Sequence, residues 1–413
     1  MIRNSNLTTA IRIVLLAVTL VLTLPALAGS DALMELVKIL RDKGSLTQDE
    51  YELLVRAAKT DEEKVDRAKH DVGEAFEENA AIVEEKTKKS SWAEKIAFKG
   101  DLRTRYQYED EDGRDDRGRG RLRYRLGVIA TPSRNLEVGA GLASGSGDQR
   151  STNQSFDATF SSKAVNLDYA HMQYAFENGL TAIAGKFKRA NFLWAPTDVM
   201  WDSDINPEGL SANYRAINTW GRYFANAGVW VLEENAGSSD DPFMGYGQIG
   251  QSWVTGEWFG TLSAAVYGFG DVTFASDFTR SAGTNTDSKL TSFNFAGELG
   301  IRVGGGEARL VGEYINNFET NTSEDTAWAL GAKYTWNKWR MKYIYADLEA
   351  NSVPDFLPDS DRFDGLTGIR GHEFEINYAL VKHVSIGLNF YHVEAFATDI
   401  EQDLLQVDMN VKF

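Results

Sequence analysis

Five arginines recur at alternate positions in two neighbouring runs, Arg103 and Arg105 in the first and Arg121, Arg123 and Arg125 in the second. In a strand, alternation puts residues on one face, so all five are expected to share the same side of a strand pair. Guanidinium groups at that density repel one another unless water or carboxylates screen them, and the face is therefore expected to be wet. Lys186 and Lys188 repeat the spacing further on, and the segment after them supplies Asp198, Asp202, Asp204 and Glu208. The chemistry these types offer is electrostatic: charges that steer a passing solute without bonding to it. Covalent and metal chemistry has little to work with. The absence of cysteine removes thiolate nucleophiles, disulfides, zinc ribbons and iron–sulfur ligation. The five histidines, His70, His171, His372, His383 and His392, contain no metal-spaced pair and no partner to a nucleophile elbow. Gly304-Gly305-Gly306 has no helix after it to make a phosphate cradle, and Ser144-Gly145-Ser146-Gly147 is expected to be a flexible loop. No catalytic residue, metal or cofactor is assigned.

The elements that must carry the arginines are strands. From Ile96 onward the apolar period is 2: Ile96, Phe98, Gly100, Leu102, Thr104, Tyr106 and Tyr108 share one face, with Lys99, Asp101, Arg103, Arg105 and Gln107 on the other. Leu122, Tyr124, Leu126, Val128 and Ala130 oppose Arg121, Arg123 and Arg125 in the same way. The pattern returns at Phe293–Val303, Trp328–Trp336, Trp339–Tyr345 and Phe374–Phe390. His372 and His392 fall on its apolar phase, a poor place for catalysis. Short links (131–135, 177–179, 304–307, 337–338, 381–383) alternate with long polar ones near 110–120, 144–162, 189–207, 233–242, 271–289, 316–325 and 347–370. That alternation is the signature of an outer-membrane barrel with tight periplasmic turns and long external loops. Counting segments gives an all-β transmembrane antiparallel barrel of about sixteen strands over 93–413, with the register least legible between 210 and 258, where alternation is poor.

Upstream the composition differs. Arg3 and Arg12 precede an apolar run from Ile13 to Leu24, and Ala26-Leu27-Ala28 then offers a small-x-small cleavage site, the layout of a signal peptide over 1–28 and too short for a spanning helix. Residues 29–92 show helical spacing, with a capping-box pattern at Thr47 and Glu50, and are expected to form a periplasmic helical segment, a solvated spacer or a coiled coil. The whole chain is acidic, 43 basic against 60 acidic side chains in 413 residues, which argues against nucleic acid as a partner. Mean hydropathy of −0.35 excludes a bundle of membrane helices, while 37 glycines, 7 prolines and 12% aromatics do not describe a disordered chain. Tyr and Trp at strand ends, such as Tyr106, Tyr108, Trp336 and Trp339, suit the interfacial girdles of such a barrel.

Two stretches carry a family resemblance. Gly185-Lys186-Phe187-Lys188, followed by Trp201-Asp202-Ser203-Asp204-Ile205-Asn206-Pro207-Glu208-Gly209, resembles the putative-porin family of Gram-negative outer membranes, relatives of the phosphate-selective porins, and Lys43–Leu54 does so too. The chain departs from that pattern at Ala190-Asn191-Phe192, where the family commonly has Pro-Phe. The resemblance implies a water-filled diffusion channel for small hydrophilic solutes and ions, a homotrimer, and a cell outer-membrane location among lipids and lipopolysaccharide. The final strand, with Leu405, Val407, Met409, Val411 and terminal Phe413 on one face, resembles the signal read by barrel-assembly machinery. Lys186, Lys188 and the five arginines are expected to line the pore with weak anion preference. Asp198, Asp202, Asp204 and Glu208 are expected to face them across a constriction, if their loop folds inward; otherwise Asp202 and Asp204 cap an external turn before Asn206-Pro207. The competing readings are a barrel enzyme and an adhesive or structural barrel.

Overall fold

The computed structural model describes residues 95–413 except 238–240, 271–280 and 288, together with Lys38, Asp42 and Glu52, which are helical. The signal peptide expected over 1–28 and the helical segment expected over 29–92 lie outside the described residues, apart from those three.

The described chain forms one closed antiparallel sheet. Its strands are β1 (Ile96–Glu111), β2 (Arg117–Ser133), β3 (Leu136–Ser144), the two-residue β4 (Gln154–Ser155), β5 (Val165–Ala175), β6 (Leu180–Lys186), β7 (Glu208–Asn218), β8 (Gly221–Val231), β9 (Phe243–Thr255), β10 (Trp258–Gly270), β11 (Thr291–Val303), β12 (Gly306–Asn317), β13 (Thr326–Trp336), β14 (Trp339–Leu348), β15 (Ile369–Val381), β16 (Val384–Ala395) and β17 (Ile400–Lys412). Each long strand pairs with the next, and β17 returns to β1 with Leu102 opposite Val411 and Arg105 opposite Asp408. Sixteen long strands therefore make the barrel, while β4 adds to β2 where β3 ends. Closure leaves no open sheet edge to be desolvated in lipid.

One end carries tight turns at 134–135, 176–179, 219–220, 256–257, 304–305, 337–338 and 382–383. The other carries loops L1 (112–116), L2 (145–164), L3 (187–207), L4 (232–242), L5 (271–290), L6 (318–325), L7 (349–368) and L8 (396–399). At 304–305 both residues have positive φ, 59° and 77°, as a hairpin turn matched to strand twist requires, which is why Gly-Gly stands there. L1 is shorter than the expected 110–120 because Glu109 and Arg117 still pair and the ladder runs on into the hairpin.

Apolar side chains such as Phe98, Leu102, Leu310, Leu330 and Phe374 point away from the lumen and are exposed around the outside. Over β7–β10 the polarity differs, which explains the poor alternation there. Ala212, Ala225, Ala227, Gly245 and Gly247 face out, while the bulk, Trp230, Met244, Tyr246 and Tyr267, faces in and is buried. What buries it is a loop inside the barrel.

The candidate channel constriction

L3 turns into the lumen. Phe187, Phe192, Leu193, Val199, Met200 and Trp201 are all buried and pack with Trp230, Met244, Tyr246 and Tyr267 of β8–β10 in one cluster. Trp201 meets Trp230 edge-on at 5.4 Å and Tyr267 at 5.7 Å between ring centroids, geometry that aromatic quadrupoles favour. Polar ties fix the path: the Gln248 side chain accepts from Trp194 N (2.8 Å) and donates to Trp194 O (2.7 Å), Tyr246 donates to Phe192 O (2.7 Å), and Lys333 donates to Pro196 O (2.7 Å).

L7 is the second loop in the lumen. Val353, Leu357 and Phe363 are buried, Asp202 N donates to Leu357 O (2.8 Å), Asp359 N donates to Asp198 O (3.3 Å), and Arg362 ties Asp198 of L3 (3.2 Å) to Glu373 of β15 (3.0 Å). L2 joins them through Arg150, which donates to Asp355 O and Gly365 O.

The arginine wall lies opposite β8–β10, on β1 and β2, and its charges are committed in a definite order. Arg105 is held by both oxygens of Asp408 (2.7 and 2.9 Å) and by Asp361 of L7 (3.1 Å). Arg123 and Arg125 share Asp101, each at 2.8 Å, and Arg125 also reaches Asp204 of L3 at 3.1 Å. Arg103 donates to Asn153 of L2 (2.6 Å) with Asp408 at 3.8 Å, and Arg121 donates to Gln107 (2.9 Å). Successive arginines thus hold L2, L7 and L3 to one wall.

The acids anticipated in L3 do three different things. Asp204 pairs with the wall directly and does not face it across a gap. Asp198 turns the other way, to Arg362 and to Lys342 at 4.0 Å; burial alone would raise its pKa, but Lys342 and Arg362 overrule it and hold the carboxyl below the usual range. Asp202 accepts from Asp204 N (2.7 Å) and Ser360 N (3.0 Å), so it caps a turn as the alternative reading had it, though inside the barrel. Burial, then the neighbouring Asp204, pushes its pKa up to about 8.

Two expected pore residues lie elsewhere. Lys186 and Glu208 pair with each other at 2.9 Å, and cross-strand register puts them on the phase of Leu210 and Val231, which are 62% and 50% exposed on the outer face. Strand β6 ends at Lys186, so Lys188, at the start of a 3-10 turn, no longer follows its phase. Lys188 does reach the inner side, pairing with Asp168 at 2.7 Å and lying 4.9 Å over the Tyr169 ring. Residues that sequence reasoning did not single out are Asp101, Asp361, Asp408, Arg362, Lys342 and Glu373. Asp101 and Asp408 stood on the polar phases of their strands, and only the registers Asp101–Arg125 and Arg105–Asp408 show that they face the arginines.

A closed barrel narrowed by an inward loop and lined by paired charges is the architecture of a diffusion pore. The model of the family described as "Putative porin" matches residues 110–304. That match and the barrel together support an outer-membrane porin channel. Pseudomonas putida OprB at high pH aligns over 77% of this porin and 94% of its own chain at 11% identity with a TM-score of 0.54, a likeness of fold. A triply substituted variant of the Rhodobacter blastica porin aligns over 77% of this chain and 100% of its own at 13% identity with a TM-score of 0.46. No curated protein sequence matches. The porin forms an outer-membrane channel.

Proposed function

We propose that this porin passes small hydrophilic solutes and ions by passive diffusion through a constriction built from L3 and L7, with weak anion preference. The observation that carries the reading is the anchoring of L3 across the lumen by buried aromatic residues, which narrows a wet passage flanked by the β1–β2 arginines. Anion preference is supported by Arg103 and Arg121, which among the described residues have no carboxylate within hydrogen-bonding distance, and opposed by Asp101, Asp204, Asp361 and Asp408, which neutralise the other three. The net effect is small. Working as a homotrimer, export through a cleaved signal peptide, insertion through barrel-assembly machinery that reads the strand ending at Phe413, and contact with lipopolysaccharide belong to the same reading and rest on the porin resemblance.

The test is planar-bilayer conductance of the purified protein with reversal potentials under a salt gradient. Discrete steps in groups of three, with a slight bias towards anions that falls in Arg103→Ala, are expected. Strong cation preference, or unchanged selectivity in both Arg103→Ala and Arg123→Ala, counts against the assignment of the wall. In liposomes, swelling with sugars supports the channel; no swelling, with hydrolysis of lipid or peptide, would replace it by an enzyme.

A further inference from the structure

The contact between L3 and L7 contains more carboxylates than cations. Asp198 and Asp202 of L3, Asp359 and Asp361 of L7 and Glu373 of β15 meet Arg105 of β1, Lys342 of β14 and Arg362 of L7. The cations are allotted: Arg105 takes Asp361 and Asp408, Lys342 takes Glu373, and Arg362 takes Asp198 and Glu373. Asp202 and Asp359 have no cation within ion-pair distance among the described residues. The other charged groups nearby do not change this. Arg103 leans to Asn153, Arg150 donates to backbone carbonyls, Arg125 holds Asp204, and Arg189 stacks over Trp201 at 5.4 Å. Yet both carboxyls stand at the seam. Asp202 accepts Ser360 N across it, and Asp359 accepts Asp361 N (3.1 Å) and the Tyr391 hydroxyl of β16 (3.4 Å) while its own N–H donates to L3.

Rather than ionise two more carboxyls beside three anionic ones in a site with little water, a protein keeps protons on them. We propose that Asp202 and Asp359 form a proton-held latch between L3 and L7, whose deprotonation in alkaline medium drives L7 from L3 and widens the pore. The latch rests on the reading of the barrel as a channel that these loops narrow. Burial followed by Asp204 raises Asp202 to about 8, and burial followed by Asp198, Asp361 and Asp202 raises Asp359 well above the carboxylate range. Both acids therefore stabilise docking when protonated. Their contribution is complete below the ordinary carboxylate pKa and is lost as pH rises through the folded value.

Single-channel conductance of the full-length porin between pH 7 and 10 tests this. The wild type is expected to step to larger conductance above about pH 8, and Asp202→Asn/Asp359→Asn, near-isosteric and unable to ionise, is expected to lose the step. A conducting wild-type channel whose conductance does not change with pH, or the same step in the double variant, overturns the latch. A second readout does not depend on conductance. In this cysteine-free chain Leu357→Cys, buried at the seam, is expected to gain maleimide labelling over the same pH range relative to exposed Ser323→Cys; an unchanged ratio overturns the latch. Absence of conductance at every pH together with a rising labelling ratio would strike the channel reading and leave the latch standing.

Discussion

At the scale of single residues, position relative to water decides what an arginine does. Arg105 and Asp408 have side chains only 2% and 6% exposed, so their attraction is little screened and either one left alone is costly. Asp408→Ala is expected to cost on the order of 3 kcal/mol, the range seen when one partner of a buried pair is removed, softened by the remaining Asp361; urea unfolding in lipid vesicles measures it. Asp101 is a different case. It holds two arginines that keep 12% and 27% exposure, so Asp101→Asn should change stability little and free positive charge at the lumen. A reversal potential moved towards anions is expected, and one moved towards cations contradicts the placement.

At the scale of elements, L3 is secured by apolar burial and L7 by ion pairs, and the two should fail differently. Trp201, 2% exposed between Trp230 and Tyr267, is the wedge of L3, and Trp201→Ala is expected to cost about 3–5 kcal/mol. Part of that cost appears as L3 leaving the β8–β10 wall, so unitary conductance should rise and fluctuate; a quiet, unchanged channel shows that L3 does not narrow the path. L7 depends on Asp198 and Asp361. Burial would raise both, but Lys342 and Arg362 lower Asp198 and Arg105 and Arg103 lower Asp361. A carboxyl lowered on folding stabilises above its unfolded pKa and loses that contribution as pH falls through the folded value. Acid should therefore also loosen L7, below about pH 4, a second transition opposite in sign to the alkaline one. Protease nicking of L7 that is equal at pH 3 and pH 6 would exclude it.

At the scale of the molecule, net charge and local field disagree. The chain is acidic by 17 charges, but many of the acids lie in outer loops, such as Asp112, Asp115 and Asp116 of L1, whereas Arg103, Arg105, Arg121, Arg123 and Arg125 crowd one wall of the lumen. Permeation senses the wall because external charges are screened within about 8 Å at physiological salt. The weak anion preference we propose should fade as salt is raised from 0.1 M towards 1 M, where the screening length falls to about 3 Å. A preference that grows with salt would point to a binding site in place of a diffuse field.

The barrel was legible in the sequence because lipid on one side and water on the other write a period of 2 into every strand, as in Leu102 and Arg103, and because turns such as Gly304-Gly305 demand special backbone. The strand count, the alternation of turns and loops and the inward face of the five arginines follow from that local rule. The failures also have local reasons. Between β7 and β10 large apolar residues stand on both faces, Leu210 and Val231 outside and Trp230, Met244, Tyr246 and Tyr267 inside under L3, so the alternation is lost without any change of fold. Lys186 and Glu208 repeat the spacing of pore residues but face out, since they pair with each other on the phase of Leu210 and Val231 and the strand ends at Lys186 before Lys188. Which charges meet was beyond the sequence altogether. Arg105 and Asp408 are 303 residues apart and Arg125 and Asp204 are 79 apart, brought together only when the last strand closes on the first and L3 folds inward. Periodicity reports which side of a strand is wet; only closure and loop docking decide what stands across the water.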